Sequence, residues 1–226
     1  MSDTSPRGTG FAVSRQWHPL ARAALLLGVL ALAYFPWLPF PWRMPAVGLL
    51  GVLLVWLETR STAAAGMRRC SVAATIGWTL GLLLIVVAVL DPLLEPAINW
   101  LTGTPTDYSA YGALKGNRDA ALALIGGAWL SAALGEELVF RAFLLHQLAA
   151  LWGRSRLAMP ASVILGGAVF GLMHAAQGVS GVLLTGCVGM VFSYAYFRSN
   201  RNLLAMVLAH GLIDTWGVGT LYLGWY

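Results

Sequence analysis

The chain has 226 residues, of which 58% are hydrophobic and only 10% charged, against about 25% charged in an ordinary soluble domain. That balance excludes a disordered chain, a collagen and a disulfide scaffold, and it places the protein in a lipid bilayer, where apolar side chains can face hydrocarbon. The net charge of +5 comes from single basic residues scattered between apolar runs, so membrane lipids are the expected partner and nucleic acid is not.

A hydrocarbon core about 30 Å thick needs about 20 mostly apolar residues per helical crossing. Seven runs qualify as candidates, at 20–38, 44–58, 71–90, 119–142, 159–176, 180–197 and 202–223. The expected fold is therefore all-α, a polytopic membrane helix bundle of about seven transmembrane helices. The first run has signal-peptide features, with Arg15 and Arg22 ahead of Ala31-Leu-Ala33. The long polar lead and the aromatic, proline-rich stretch Tyr34 to Trp42 favour a retained span. The second run is short and borrows Trp37 to Trp42 as an interfacial anchor.

With the N-terminus inside, nine basic residues fall on cytoplasmic loops (Arg7, Arg15, Arg60, Arg68, Arg69, Arg154, Arg156, Arg198 and Arg201) against three outside (Arg43, Lys115 and Arg118). The positive-inside rule then predicts a cytoplasmic N-terminus and an external C-terminus. The long connection from Asp91 to Asn117 would lie outside, as a lid, a substrate-contacting loop or a plain solvated connector. Gly167 and Gly171 have the spacing that lets membrane helices approach closely. Cys70 and Cys187 offer neither metal-type spacing nor a disulfide framework.

Ionisable groups deep in a span cost about 2.5 to 3.5 kcal/mol each, so each demands a reason. They gather in three spans, as Glu136-Glu137-Leu-Val-Phe-Arg141, Phe170-Gly-Leu-Met-His174 and His210-Gly-Leu-Ile-Asp214, while the first three spans carry almost nothing comparable. On an α-helix Glu137 and Arg141 make an i,i+4 ion pair. Glu136 points about 100° away and is left over. A desolvated carboxylate can exchange protons with water near neutral pH, which suits a general base. His210 and Asp214 share a face, so the aspartate can set the imidazole tautomer or donate if protonated. Rises of about 1.5 Å per residue put Glu136 about 24 Å deep, His174 about 23 Å, His210 about 12 Å and Asp214 about 18 Å, consistent with one polar chamber.

A glutamate and histidines around a bound water supply the base and oxyanion donors of peptide hydrolysis. A serine triad has no support, since Ser131 and Ser162 lack a nucleophile elbow. Two histidines and a glutamate are also a normal zinc ligand set, although the His-Glu-x-x-His helix is absent. The residues alone leave zinc open.

These three elements, in this order and on separate membrane helices, resemble the CAAX protease and bacteriocin-processing family of intramembrane proteases, also called CPBP or Abi. The resemblance covers about residues 119–223. It implies a glutamate-dependent endopeptidase acting on membrane-associated proteins or peptides, with no cofactor. Carried over by position, it implies that Glu136 and His174 activate the water, that His210 and Asp214 stabilise the oxyanion, and that Glu137 and Arg141 hold the first glutamate. The family often has asparagine at the position of Asp214, and an ionised aspartate there would repel an oxyanion. The compact length and the aromatic stretch before the second span also resemble the branch found beside bacterial exosortase systems, which implies a bacterial cytoplasmic membrane. The expected organisation is a cytoplasmic lead over residues 1–19, three spans and the external loop over 20–118, and a catalytic membrane core over 119–223. Alternative functions are a non-proteolytic scaffold or bacteriocin-immunity protein on the same fold, and a proton-coupled transporter, against which the lack of an internal repeat counts.

Overall fold

The structure, a computed structural model, describes residues 17–225. The polar lead with Arg7 and Arg15, and Tyr226 at the other end, lie outside the described residues. The described residues form helices and connections, with no strand among them.

Helix α1 (Pro19–Tyr34) starts on a proline and a His18 side chain that accepts from the Leu20 amide, and it stops just before Pro36. Helix α2 (Arg43–Thr59) ends on Arg60 in the left-handed region. Helix α3 (Val72–Thr102) is capped by Ser71 and ends at Gly103, whose φ of 69° suits a residue without a Cβ. Helix α4 (Arg118–Trp152) is capped by Asn117, and α5 (Ala158–Leu172) follows a short turn. A 3-10 turn (Ala175–Gln177) leads into α6 (Gly178–Arg198), and α7 (Leu203–Leu223) is capped by Asn202, which also donates to the Thr75 hydroxyl of α3 at 2.9 Å.

Four of these segments, α3, α4, α6 with its leading turn, and α7, are long and apolar enough to cross a membrane. Helices α1 and α5 are apolar but shorter. Length and composition thus make four of the seven expected spans candidate crossings. Large apolar side chains such as Leu53, Leu84, Leu93, Trp100 and Ile164 point outward, as a lipid environment allows.

Helices α5 and α6 pack through glycine. A Cβ added at Gly171 would stand 2.9 Å from the Gly186 Cα, and one at Gly189 would stand 3.0 Å from Phe170. This is the close approach that the Gly167 to Gly171 spacing suggested.

The connection after α3 differs from expectation. Asp91 and Glu95 are helical, because the chain winds as a π-helix over Val86–Leu94 around Pro92 and then as α-helix to Thr102. A wider helix absorbs the proline that would clash with an α-helical turn. The loop that remains is tied down at both ends. Ser180 donates to the Thr104 carbonyl at 2.6 Å, the Asp107 amide donates to the Gln177 carbonyl at 3.0 Å, and the Gly116 amide donates to the Tyr222 carbonyl at 3.0 Å. In this loop the Ser109 side chain, together with the Ser109 amide 2.8 Å from Asp107 Oδ1, holds that carboxyl below the ordinary range.

Candidate active site

Helix α4 carries the paired glutamates, and it is not an α-helix there. Trp129–Glu136 and Leu138–Leu144 are both π-helical. Such windings are rare and concentrate at functional sites, and they alter the simple 100° rotation assumed between Glu136 and Glu137. Helix α2 packs against this stretch, with its Met44 and Pro45 backbone lying against Gly135. A Cβ at Gly135 would stand 2.6 Å from that backbone.

Glu137 is fully buried and faces two partners. Its Oε1 accepts from His210 Nδ1 at 2.8 Å, and its Oε2 stands 3.1 Å from Arg141 Nε as an ion pair without hydrogen-bond alignment. The expected Glu137–Arg141 pair is present, but the side chain it braces directly is His210. On the other edge of that ring, Nε2 is 3.7 Å from Asp214 Oδ1. Because Glu137 accepts at Nδ1, Nε2 is the nitrogen left to face a ligand.

Three aromatic rings close around these groups. The Arg141 guanidinium lies over Phe170 and Phe192, 5.0 and 5.2 Å from their centroids, and the same two rings flank His210 at 6.1 and 5.8 Å. Phe140 meets Phe170 edge-on. The cation is thus held by a carboxylate and two π-faces, which replace the water it lacks. Trp129 fills the space beside Gly211, where a Cβ would stand 2.5 Å from its ring, and donates to the Thr215 hydroxyl at 3.1 Å.

His174 follows the last turn of α5, where the winding tightens to 3-10. Its Nδ1 donates to the Phe170 carbonyl at 3.1 Å, and its ring meets the Phe170 ring at a tilt of 44° with centroids 4.9 Å apart. Nε2 is thereby left as the lone-pair nitrogen. Glu136 is half-buried, and its Oε2 is buried without a hydrogen-bond partner, as is Asp214 Oδ2. Asp214 lies within electrostatic reach of His210, Glu136, His174 and Glu137. All six expected residues therefore belong to one polar region built from α4, the end of α5, and α7. Phe192 on α6 and Trp129 on α4 also shape it, and neither carried a sequence signal beyond an apolar run. Gly211, next to His210, was the available hint for Trp129.

Residues 118–216 match the family described as type II CAAX prenyl endopeptidase Rce1-like. Over this range the chain is similar to the CAAX protease family. The match covers all three elements that carry the site and none of α1, α2 or α3. No curated protein and no solved structure matches the chain. The family that these residues resemble is one of CAAX prenyl endopeptidases.

The expectation that the first three spans carry almost nothing ionisable is corrected by the structure. Arg22 of α1 and Glu58 of α2 are buried together against His146 and Gln147 of α4. Each lies near the end of its run, where it reads as an interfacial charge, and only the packing reveals that they meet.

Proposed function

We propose that the chain hydrolyses peptide bonds of membrane-associated proteins or peptides with a water activated by Glu136 and His174. The observation that carries this reading is the buried, unpartnered oxygen of Glu136, which shares the surroundings of Asp214 with two histidines whose Nδ1 atoms are already committed. Glu136 takes a proton from the water, and His174 Nε2 orients it. The water oxygen attacks the scissile carbonyl, and the proton held on Glu136 passes to the leaving amine. Charge develops on the carbonyl oxygen, where His210 Nε2 and a protonated Asp214 carboxyl donate. Glu137 fixes the His210 ring and balances the imidazolium that donation from Nε2 requires, while Arg141 balances Glu137.

Residues 119–223 are the catalytic core in this reading. Helices α1, α2 and α5 complete seven crossings, with the N-terminus cytoplasmic in a bacterial inner membrane and a place in the exosortase-associated branch. Reporter fusions at Arg154 and after the C-terminus should report opposite sides of the membrane. The activity itself is tested with the full chain in proteoliposomes holding a library of single-span peptides. Internal cleavage detected by mass spectrometry supports the reading, and an intact library with folded protein contradicts it.

A further inference from the structure

A second buried polar cluster lies outside the catalytic region. Arg22 donates through both terminal nitrogens, one 2.5 Å from Glu58 Oε1 and the other 2.5 Å from Gln147 Oε1. Gln147 Nε2 returns a bond to Glu58 Oε2 at 3.2 Å, and His146 Nε2 stands 3.1 Å from the same oxygen. The four residues are 0 to 7% exposed. Arg60, Arg68, Arg69, Arg154 and Arg156 are exposed by contrast. Charges near helix ends normally snorkel to the interface, so four polar groups turned inward together call for an account beyond anchoring.

Glu58 is also the last member of a buried face along α2, formed by Met44, Gly48, Gly51, Val55 and Glu58. That face runs down α4 in one direction. Met44 lies on Gly135, a Cβ at Gly48 would stand 2.6 Å from Leu138 Cβ, one at Gly51 would stand 2.8 Å from Phe143 Cβ, and Glu58 meets Gln147. Every glycine contact falls within or beside the π-helical stretch that presents Glu136 and Glu137. The seats at Gly48, Gly51 and Gly135 hold the two helices close and resist a slide. The hydrogen-bonded ion pair at the far end adds a directional tie, as buried polar groups do when they set register.

We propose that Arg22, Glu58, His146 and Gln147 form a register lock that holds α2 against α4, making Glu58 a positioning residue for the glutamate-bearing π-helical stretch. The consequence for cleavage rests on the peptidase reading, but the lock does not. A slide of α2 brings a larger side chain onto Gly135 and displaces Glu136 next to it.

The test uses the full chain in phosphatidylcholine and phosphatidylglycerol nanodiscs, with Cys70 and Cys187 changed to alanine and spin labels at the lipid-facing positions Leu53 and Leu134. Glu58→Gln keeps the shape and removes the charge, and the double variant His146→Leu with Gln147→Leu frees α4 while leaving the Arg22–Glu58 pair intact. With either variant folded, the account expects the label-to-label distance to shift or broaden by up to the roughly 5.4 Å of one turn. Peptide cleavage should fall about 100-fold through misplacement, in kcat rather than KM. A distance distribution identical to that of the unsubstituted chain overturns the lock, whatever happens to cleavage or thermal stability. If Glu58→Gln fails to fold, the double variant His146→Leu with Gln147→Leu decides on the same criterion. A shifted distance in a chain that never cleaves any peptide upholds the lock and contradicts the peptidase reading alone.

Discussion

Glu137 Oε1 and His210 Nδ1 lie 2.8 Å apart, joining α4 to α7 across 73 positions of sequence. This bond gives the second glutamate of the pair a role directed at a histidine, with Arg141 on its far side. It also leaves the first glutamate as the one with a buried oxygen to spare.

Glu137→Gln should therefore damage folding. The amide cannot neutralise Arg141, which is 1% exposed, and removing one partner of a buried pair costs about 3 to 5 kcal/mol. Thermal unfolding in detergent and the yield of monodisperse protein measure the loss. Unchanged stability would show that Phe170 and Phe192 alone can hold the cation.

Asp214 separates two ways of assisting. If it donates to the oxyanion, Asp214→Asn supplies an amide donor and keeps most of the activity, whereas Asp214→Ala loses about 100-fold or more. If it instead orients His210 through charge, both variants fail alike. The 3.7 Å gap to His210 Nε2 favours donation, because an orienting bond would be shorter.

Gly135→Ala should act on both stability and catalysis. The added methyl would stand 2.6 Å from the backbone of Met44 and Pro45, and overpacking of that kind costs about 1 to 3 kcal/mol. Since Glu136 is the next residue, cleavage should fall by more than the folded fraction does. Activity that simply tracks folded yield would argue against a coupling between this contact and the site.

The helices were legible because their apolar runs and caps are local. Ser71, Asn117, Asn202, Gly103 and Gly224 all stand at helix ends. Glu136, Glu137, His174, His210 and Asp214 stood out because charge is costly in apolar runs. What stayed hidden depends on partners distant in sequence. The packing of α2 on the π-helical stretch of α4 joins residues about 90 positions apart, the Arg22 and Glu58 pair spans 36 positions, and Phe192 looks like any lipid-facing phenylalanine until Arg141 is placed over it.

Zinc chemistry would need three ligands around one open position. Among the described residues no group of three or more His, Cys, Asp or Glu side chains is arranged to hold a metal ion. With Nδ1 committed on His210 and His174, each Nε2 still could ligate, so the convergence of ligands is what chelation tests. Activity should survive exhaustive chelation, with no stoichiometric zinc by elemental analysis. Loss on chelation with recovery on zinc alone would assign the same residues to a metal.

The central claim is that Glu136 is the base. Glu136→Gln is nearly isosteric and leaves the Glu137, Arg141 and His210 contacts in place. The direct measurement is single-turnover cleavage of a peptide from the proteoliposome library, beside a thermal melt of the same preparation. The account predicts an unchanged melt with cleavage reduced by at least about 100-fold to 10,000-fold, the contribution of a general base. A variant that melts like the parent and cleaves at a comparable rate would contradict it.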